Sequence, residues 1–466
     1  MNLALECVRR ASSTGQRQAA PLDAKCQGSA RAMRSSQRRG SAYVVVLGTA
    51  MIVSTIGLTA LLALRVERRT QEDDGDLLSA RLNAKAAIEV GMQRIVADAN
   101  WRTTYPSGVW EASRRIGSGS YTLSGTDPDD GSLADMETDP VVLTATATSG
   151  RASHTLQVTL AAQTVPLGCL GVSLHANNDV FFTSATVQSN QTISANNSVS
   201  SNTSTVAAAV EAVNAVNGTG YTGTTTIGVA PRSVPNPTTV FDYYKSNGTP
   251  IAIALLPLVA GVRTIGETLL SPAANPFGPT NAEGIYVLDC QSQMLHVRNS
   301  RIVGTLVVLN AGSGSAVYGS VNWEPAVANY PALMVQGAIN LVYTATELSE
   351  SVLGKNLNPA GTPYLGASDV DTTDTYPSRI KGIVYGSVDI GTSIGSLPSA
   401  PSPNVAVALD GVLVVGVTLN FSNPSPPDAF SLSLTYLSTF YDDPPPGFRE
   451  VVNMVVLPGS WKQVVP

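Results

Sequence analysis

Four stretches decide the fold: GTLVVLNAG at Gly304–Gly312, YPALMVQGAINL at Tyr330–Leu341, GIVYGSVDI at Gly382–Ile390 and GVLVVGVTLNF at Gly411–Phe421. Each couples an apolar strand-like run to a glycine and a second strand-like run. The anchors Leu306 and Leu333 stand 27 residues apart, and Ile383 and Val412 stand 29 apart. Periods of that order mark stacked coils, in which each turn buries the face of its neighbour because no turn can bury its own. Val, Leu and Ile then point inward, and Ser, Thr and Asn at the turns bond along the stack. A β-sandwich would place hairpin turns between adjacent strands, yet Asn217-Gly218 and Asn247-Gly248 both lie outside the repeat. The fold read from this pattern is a right-handed parallel β-helix.

Working outward, the β-helix occupies residues 165–466, beginning near Val165-Pro166-Leu167-Gly168. Further strand-like runs stand at Val180–Phe182, Ile285–Leu288, Val405–Leu409 and Leu432–Tyr436. Two stretches interrupt it: Val206–Val216 (VAAAVEAVNAV) reads as a short helix, and residues 343–380 as a polar insertion with the acidic run DVDTTD at 369–374. The proline-rich Phe440–Phe448 and Pro458–Lys462 read as a C-terminal cap, because proline cannot extend a strand ladder.

Composition narrows the class. The 466 residues amount to two or three domains. With 43% hydrophobic residues and a formal net charge of −6, the chain can bury a core and is not disordered. No basic stripe follows the N-terminal region, so nucleic acid is not an expected partner. His154, His175 and His296 are isolated, and four cysteines lie far apart, which excludes zinc fingers, haem attachment and disulfide-dense scaffolds. No metal and no cofactor is expected.

Ser41–Leu64 (SAYVVVLGTAMIVSTIGLTALLAL) holds 24 residues without a charge. As a helix it measures roughly 36 Å, enough to cross a hydrocarbon core of about 30 Å with some tilt. Residues 1–40 carry eight Lys/Arg (Arg9, Arg10, Arg17, Lys25, Arg31, Arg34, Arg38, Arg39) against Glu6 and Asp23. The basic excess predicts a cytoplasmic N-terminus, a single pass through the inner membrane and a periplasmic or extracellular bulk. A secretory signal peptide fits poorly, since its apolar region runs about 7–15 residues and ends in a small-x-small site.

The junction Arg38-Arg39-Gly40 before Ser41-Ala42-Tyr43-Val44-Val45 resembles the type IV prepilin signal, which implies cleavage by a prepilin peptidase between Gly40 and Ser41. Pilins usually carry Glu at the fifth mature position, where this chain has Val45; tip-type minor pseudopilins and PilX-type pilus assembly proteins can lack it. Met33 offers a second start, giving the leader MRSSQRRG; Cys7 and Cys26 would then be absent. Cys169 and Cys290 would both lie outside the membrane, a candidate disulfide pair.

Beyond the span, residues 65–104 read as a helical extension with Leu78, Leu82, Ile88, Met92 and Ile95 near helical spacing. Its run AKAAIEVGMQRIV also resembles the helix after the span in PilX-type proteins. Residues 105–164 form a pilin-like β segment, with strands at GSGSYTLS (117–124), VVLTATATS (141–149) and HTLQVTLA (154–161). Between the first two lies an acidic turn, Asp127-Pro128-Asp129-Asp130-Gly131 with Asp135. It fails the EF-hand spacing and reads as a solvated turn rather than a metal site.

Parallel β-helices also carry polysaccharide-cleaving sites, whose chemistry needs clustered carboxylates or a positioned base. The candidates here are Asp369, Asp371 and Asp374 with Arg379 and Lys381, in a run better read as solvated surface. No nucleophile elbow or phosphate loop appears, so no catalytic residue is assigned. The resemblance implies a membrane-anchored, prepilin-like minor component of a type IV pilus or type II secretion assembly. Its partners would be the lipid bilayer, other pilin-like subunits and prepilin peptidase. The alternative is a cell-surface β-helix on a simple anchor that binds or cleaves polysaccharide, with a surface glycan as ligand.

Overall fold

The computed structural model describes residues 41–392, 404–422 and 430–465. The leader, Gly40, the second start at Met33, Cys7 and Cys26 lie outside the described residues. The chain is mainly β, 44% strand against 21% helix. It divides into two units, one ending at Asp74 and the other beginning at Gly75.

Helix α1 spans Ser41–Ala97. Its first part is long and apolar enough to cross a membrane, and its large apolar side chains from Tyr43 to Val66 are exposed. In the second unit α1 is amphipathic, but not on the face that the leucines suggest. Leu78 and Leu82 are exposed, whereas Ala80, Ala84, Ala87, Ile88 and Ile95 are buried. Small residues win this face because they let the helix lie close on a sheet. A Cβ at Gly91 would stand 3.1 Å from Leu143 Cδ1 and 3.2 Å from Leu123 Cδ2.

That sheet is antiparallel, in the order β1 (Gly108–Ile116), β2 (Gly119–Thr126), β3 (Val141–Ser149), β4 (Ala152–Pro166). The short helix α2 (Trp101–Thr104) leads into it. Val141, Leu143, Ala145 and Ala147 of β3 alternate inward, as the period-two pattern requires, and pack with Ala84, Ala87 and Ile88. A fifth strand comes from the far end of the chain: Arg449–Val456 runs antiparallel to β4, pairing Arg449 with Pro166 and Val456 with Leu160. Lys462–Val464 pairs with the start of β4. The C-terminus therefore completes this sheet and is not solely a cap. Phe440 and Phe448 do cover a solenoid face, packing with Tyr385, Val412 and Val414.

Among the described residues between Pro166 and Arg449, a 24-stranded sheet builds a β-solenoid. The expected repeat appears as register: Leu306 pairs with Leu333 and Ile383 with Val412, each in adjacent parallel strands. The coils are not stacked in chain order. The first coil, Leu174–Ser189, is followed by Ile193–Ala207 and Val210–Gly218 toward one end of the stack. Helix α3 (Pro237–Asn247) then intervenes, and the chain resumes winding at Thr249–Ile251. From there parallel pairings lead through Ile285–Asp289, Thr305–Ala311, Pro331–Gly337 and Arg379–Gly386 to Val405–Val415. The last coil closes on the first, pairing Leu413 with Leu174, Leu419 with Val180 and Ser431 with Thr186.

The interior is lined by Val, Leu, Ile, Ala and a few aromatics. Amides bond along the turns: Asn196 Nδ2 donates to Asn177 Oδ1 at 3.0 Å, and Asn214 Nδ2 to Asn197 Oδ1 at 2.8 Å. Val240, Phe241 and Tyr244 of α3 cover the face that carries Val287, Val307, Met334 and Tyr385. The helix expected at Val206–Val216 is instead three short strands, Thr205–Ala207, Val210–Ala212 and Ala215–Gly218. Ala-rich helix propensity yields there to parallel pairing with the preceding coil, which buries Val206, Val210 and Ala212. The segment 343–380 holds a two-stranded sheet (Leu348–Ser349 with Thr375–Tyr376) over a small core of Leu269, Leu348, Leu357 and Tyr376.

Candidate functional site

The charged residues of the insertion are brought partly together, around structural contacts. Glu350 is fully buried; its Oε1 accepts from the Tyr376 hydroxyl at 2.7 Å and from the Leu357 N–H, and its Oε2 accepts from the Asp374 N–H at 3.3 Å. Asp374 Oδ2 accepts from Asn358 Nδ2 at 2.7 Å, and Asp369 accepts from both Asn356 and Asn358. Asp371 is exposed and caps Thr373. One ligand oxygen each of Glu350, Asp369 and Asp371 lies within 4.8 Å of the others, but both Glu350 oxygens already accept hydrogen bonds.

Arg301 anchors this insertion to the solenoid. Its guanidinium is fully buried, donates to the carbonyls of Leu357, Thr362 and Pro363 at 2.7–2.9 Å, and lies over the rings of Tyr364 and Tyr376. Burial pushes its pKa down and Glu324 pulls it back up. Arg379 pairs with Asp410 at 2.9 Å, away from the three aspartates. Lys381 lines a different feature, an open groove of about 760 Å³ with Glu324, Asn329, Asp442 and Asp443. The five sequence candidates thus divide among three places.

The acidic loop between β2 and β3 departs from its sequence reading. Asp127 is only 6% exposed, and Leu133 beneath the loop is buried. One ligand oxygen each of Asp127, Asp135 and Asp139 lies within 4.8 Å of the others. Burial, reinforced by the charges of Asp127 and Asp135, pushes Asp139 up to about 6. Arg102 of α2 braces the loop through main-chain carbonyls, its Nη1 donating to Leu133 and its Nη2 to Glu137 and Asp139. Sequence reasoning named Asp127 and Asp135 but not Asp139, and it missed the burial of Asp127; Asp135 is exposed.

Cys169 and Cys290 do not pair. Both are buried free thiols, Cys169 packed under α3 and Cys290 inside the solenoid. Burial pushes the Cys290 thiol up to about 12 and Cys169 higher, so neither is a nucleophile at neutral pH. The histidines stay apart; burial lowers all three, His175 to about 3.

No family model matches the chain, and no curated protein matches it. Among solved structures, it is similar to the competence-associated pilin ComZ from Thermus thermophilus at 11% identity and a TM-score of 0.32, over 84% of this chain and 98% of that one. It is also similar to an ice-binding protein from the Antarctic ascomycete Antarctomyces psychrotrophicus at 12% identity and a TM-score of 0.20, over 57% of this chain and 95% of that one.

Proposed function

We propose that the chain is a membrane-anchored, prepilin-like minor component of a type IV pilus or type II secretion assembly, with a structural or adhesive role. The observation that carries this reading is the helix-on-sheet unit interrupted by the solenoid: α1 begins as an apolar anchor, continues as the helix that β1–β4 pack on, and β4 leads into the solenoid. Such a unit suits lateral packing of anchor helices in the bilayer, while the solenoid supplies a long, weakly charged surface for a partner. In this reading Gly40 is the residue after which prepilin peptidase cuts, Ser41 the mature start, and the N-terminus cytoplasmic. The dispersed carboxylates favour a non-enzymatic role. The groove beside Lys381, Asp442 and Asp443 favours a second reading, a cell-surface β-helix that binds or cleaves polysaccharide.

The test is mass spectrometry of the N-terminus of protein isolated from its own membranes. A start at Ser41, with or without N-methylation, is the expected result. A start upstream of Gly40 would overturn the prepilin reading and leave the glycan reading on a simple anchor.

A further inference from the structure

The solenoid finishes, beyond Val210–Ala212, in one last circuit, and each of its three sides is paired along one edge. Ala215–Gly218 runs parallel to Ser198–Ser201, Tyr221 bridges to Val206, and Thr225–Ile227 runs parallel to Val210–Ala212. Among the described residues, no strand register joins the other edge of Ala215–Gly218 or of Thr225–Ile227. The inward pattern of the stack nevertheless continues into this circuit. Val216 stands on Val199, Tyr221 on Val206 and Ile227 on Ala212, and the three lower residues are fully buried. Val216 and Tyr221 are only half-buried, and Ile227 is 64% exposed. The opposite end is closed: Ile253, Leu256 and Phe277 are buried in one core with Ile251, Ile265 and Leu270, and Arg263 Nη1 ties the carbonyls of Ala254 and Leu256 together. A bare strand edge templates pairing with another chain, so solenoid ends usually carry polar caps, charges or prolines. From Ala212 to Ala230 this chain has no charged residue and no proline. The flanking charges, Glu211 and Arg232, pair with each other at 2.7 Å.

We propose that this open end docks on the same end of a second copy of the chain, the two joined edge to edge about a two-fold axis at right angles to the solenoid. A single donated strand could cover one edge only. Three edges in one circuit, with Val216, Tyr221 and Ile227 between them, are covered together by an end of the same cross-section. The two-fold turns the second copy's strands antiparallel to the first, so main-chain donors and acceptors meet at the ordinary sheet spacing of about 4.8 Å. Like ends must meet in such a contact, and the lack of charge from Ala212 to Ala230 removes the repulsion that would oppose it. Because the far end is closed, each copy offers one face of this kind, and assembly stops at the dimer instead of growing into a fibre. The inference does not depend on the pilus reading.

The experiment sizes the full chain in detergent by analytical ultracentrifugation, with the mass of bound detergent subtracted. The wild type should sediment at twice the mass of one chain. Ile227→Lys sets a cation on each copy at the contact and should halve that mass, with the circular dichroism spectrum unchanged because Ile227 is exposed within the single chain. A second measurement places Ile227→Cys in a chain whose Cys7 and Cys26 are replaced by serine; Cys169 and Cys290 are buried. A short thiol cross-linker should give a covalent dimer and nothing larger. Val352→Cys, at a position 83% exposed on the insertion, should give no such product in the same background. Cross-linking supplies the answer if Ile227→Lys does not fold. A monomeric wild type, a dimer that persists in Ile227→Lys (as pairing through the anchor helices would give), no product from Ile227→Cys, or a ladder above the dimer would each overturn the proposal.

Discussion

Leu306 sits directly opposite Leu333 in the neighbouring parallel strand, both side chains buried in the solenoid interior. The step of 27 residues from one to the other makes one circuit of the solenoid, so each leucine is the floor or ceiling of the other. Stability is therefore shared between consecutive coils, as nearest-neighbour interfaces rather than one central core.

Shortening one of these contacts should be felt across the stack. Leu306→Ala is expected to lower stability by about 2–5 kcal/mol, the range for a fully buried leucine that leaves a cavity. Thr205→Ala, on an exposed outer position, should cost under about 0.5 kcal/mol. Denaturant melts followed by circular dichroism compare the two; equal effects would contradict the coil-by-coil picture.

Ending the chain at Phe448 should produce association instead of simple loss of fold. The last strands would be gone, and β4 would present unpaired main-chain groups from Leu160 to Pro166. A bare edge of this kind templates strand pairing between molecules. Size-exclusion chromatography should show higher assemblies while the solenoid retains its β-type circular dichroism. A monodisperse truncated protein would mean that the edge is protected by other means.

Acid should weaken the fold through His175. Its folded pKa of about 3 lies below the ordinary value of about 6.5, so the unfolded chain takes up the proton first. Stability is unaffected above about pH 6.5 and falls as pH drops toward 3, reaching a cost on the order of 4 kcal/mol. Asp139 has the opposite sign: raised to about 6, its burden is relieved as pH falls from there toward the ordinary carboxylate value. Thermal unfolding of His175→Gln should therefore fall less steeply than the wild type below about pH 5. Parallel pH profiles would remove His175 from this role.

The solenoid was readable because repetition writes itself into spacing: Leu306 and Leu333, or Ile383 and Val412, announce their contact by their separation. The strands β2, β3 and β4 were readable for a similar local reason, their alternation of apolar and Thr/Ser residues. What escaped depends on distant partners. VAAAVEAVNAV has the composition of a helix, and only the coil beneath it makes it strand. Leu78 and Leu82 look like the core face of α1, but the sheet accepts the alanines and Gly91 because they allow a closer approach. Nothing near Arg449–Val456 signals a partner almost three hundred residues earlier. Asp127 reads as a solvated turn residue, yet in the fold it is buried. The charged run at 369–374 reads as solvated surface, yet asparagine amides tie the carboxylates of Asp369 and Asp374 into the insertion.

Pro166 and Arg449 are partners in one antiparallel ladder, and the Leu167 N–H donates to the Phe448 carbonyl at 3.1 Å. In topological terms the whole solenoid is a loop between two neighbouring strands. Coils added or deleted beyond Val210–Gly218, or beyond Thr249–Ile251, would leave that joint where it is. During synthesis, however, the coil at Leu174–Ser189 must wait for residues 412–435 before its open side is covered. A growing chain would carry that sticky surface unfinished, so the architecture trades freedom to change length for dependence on protection until the last coil arrives.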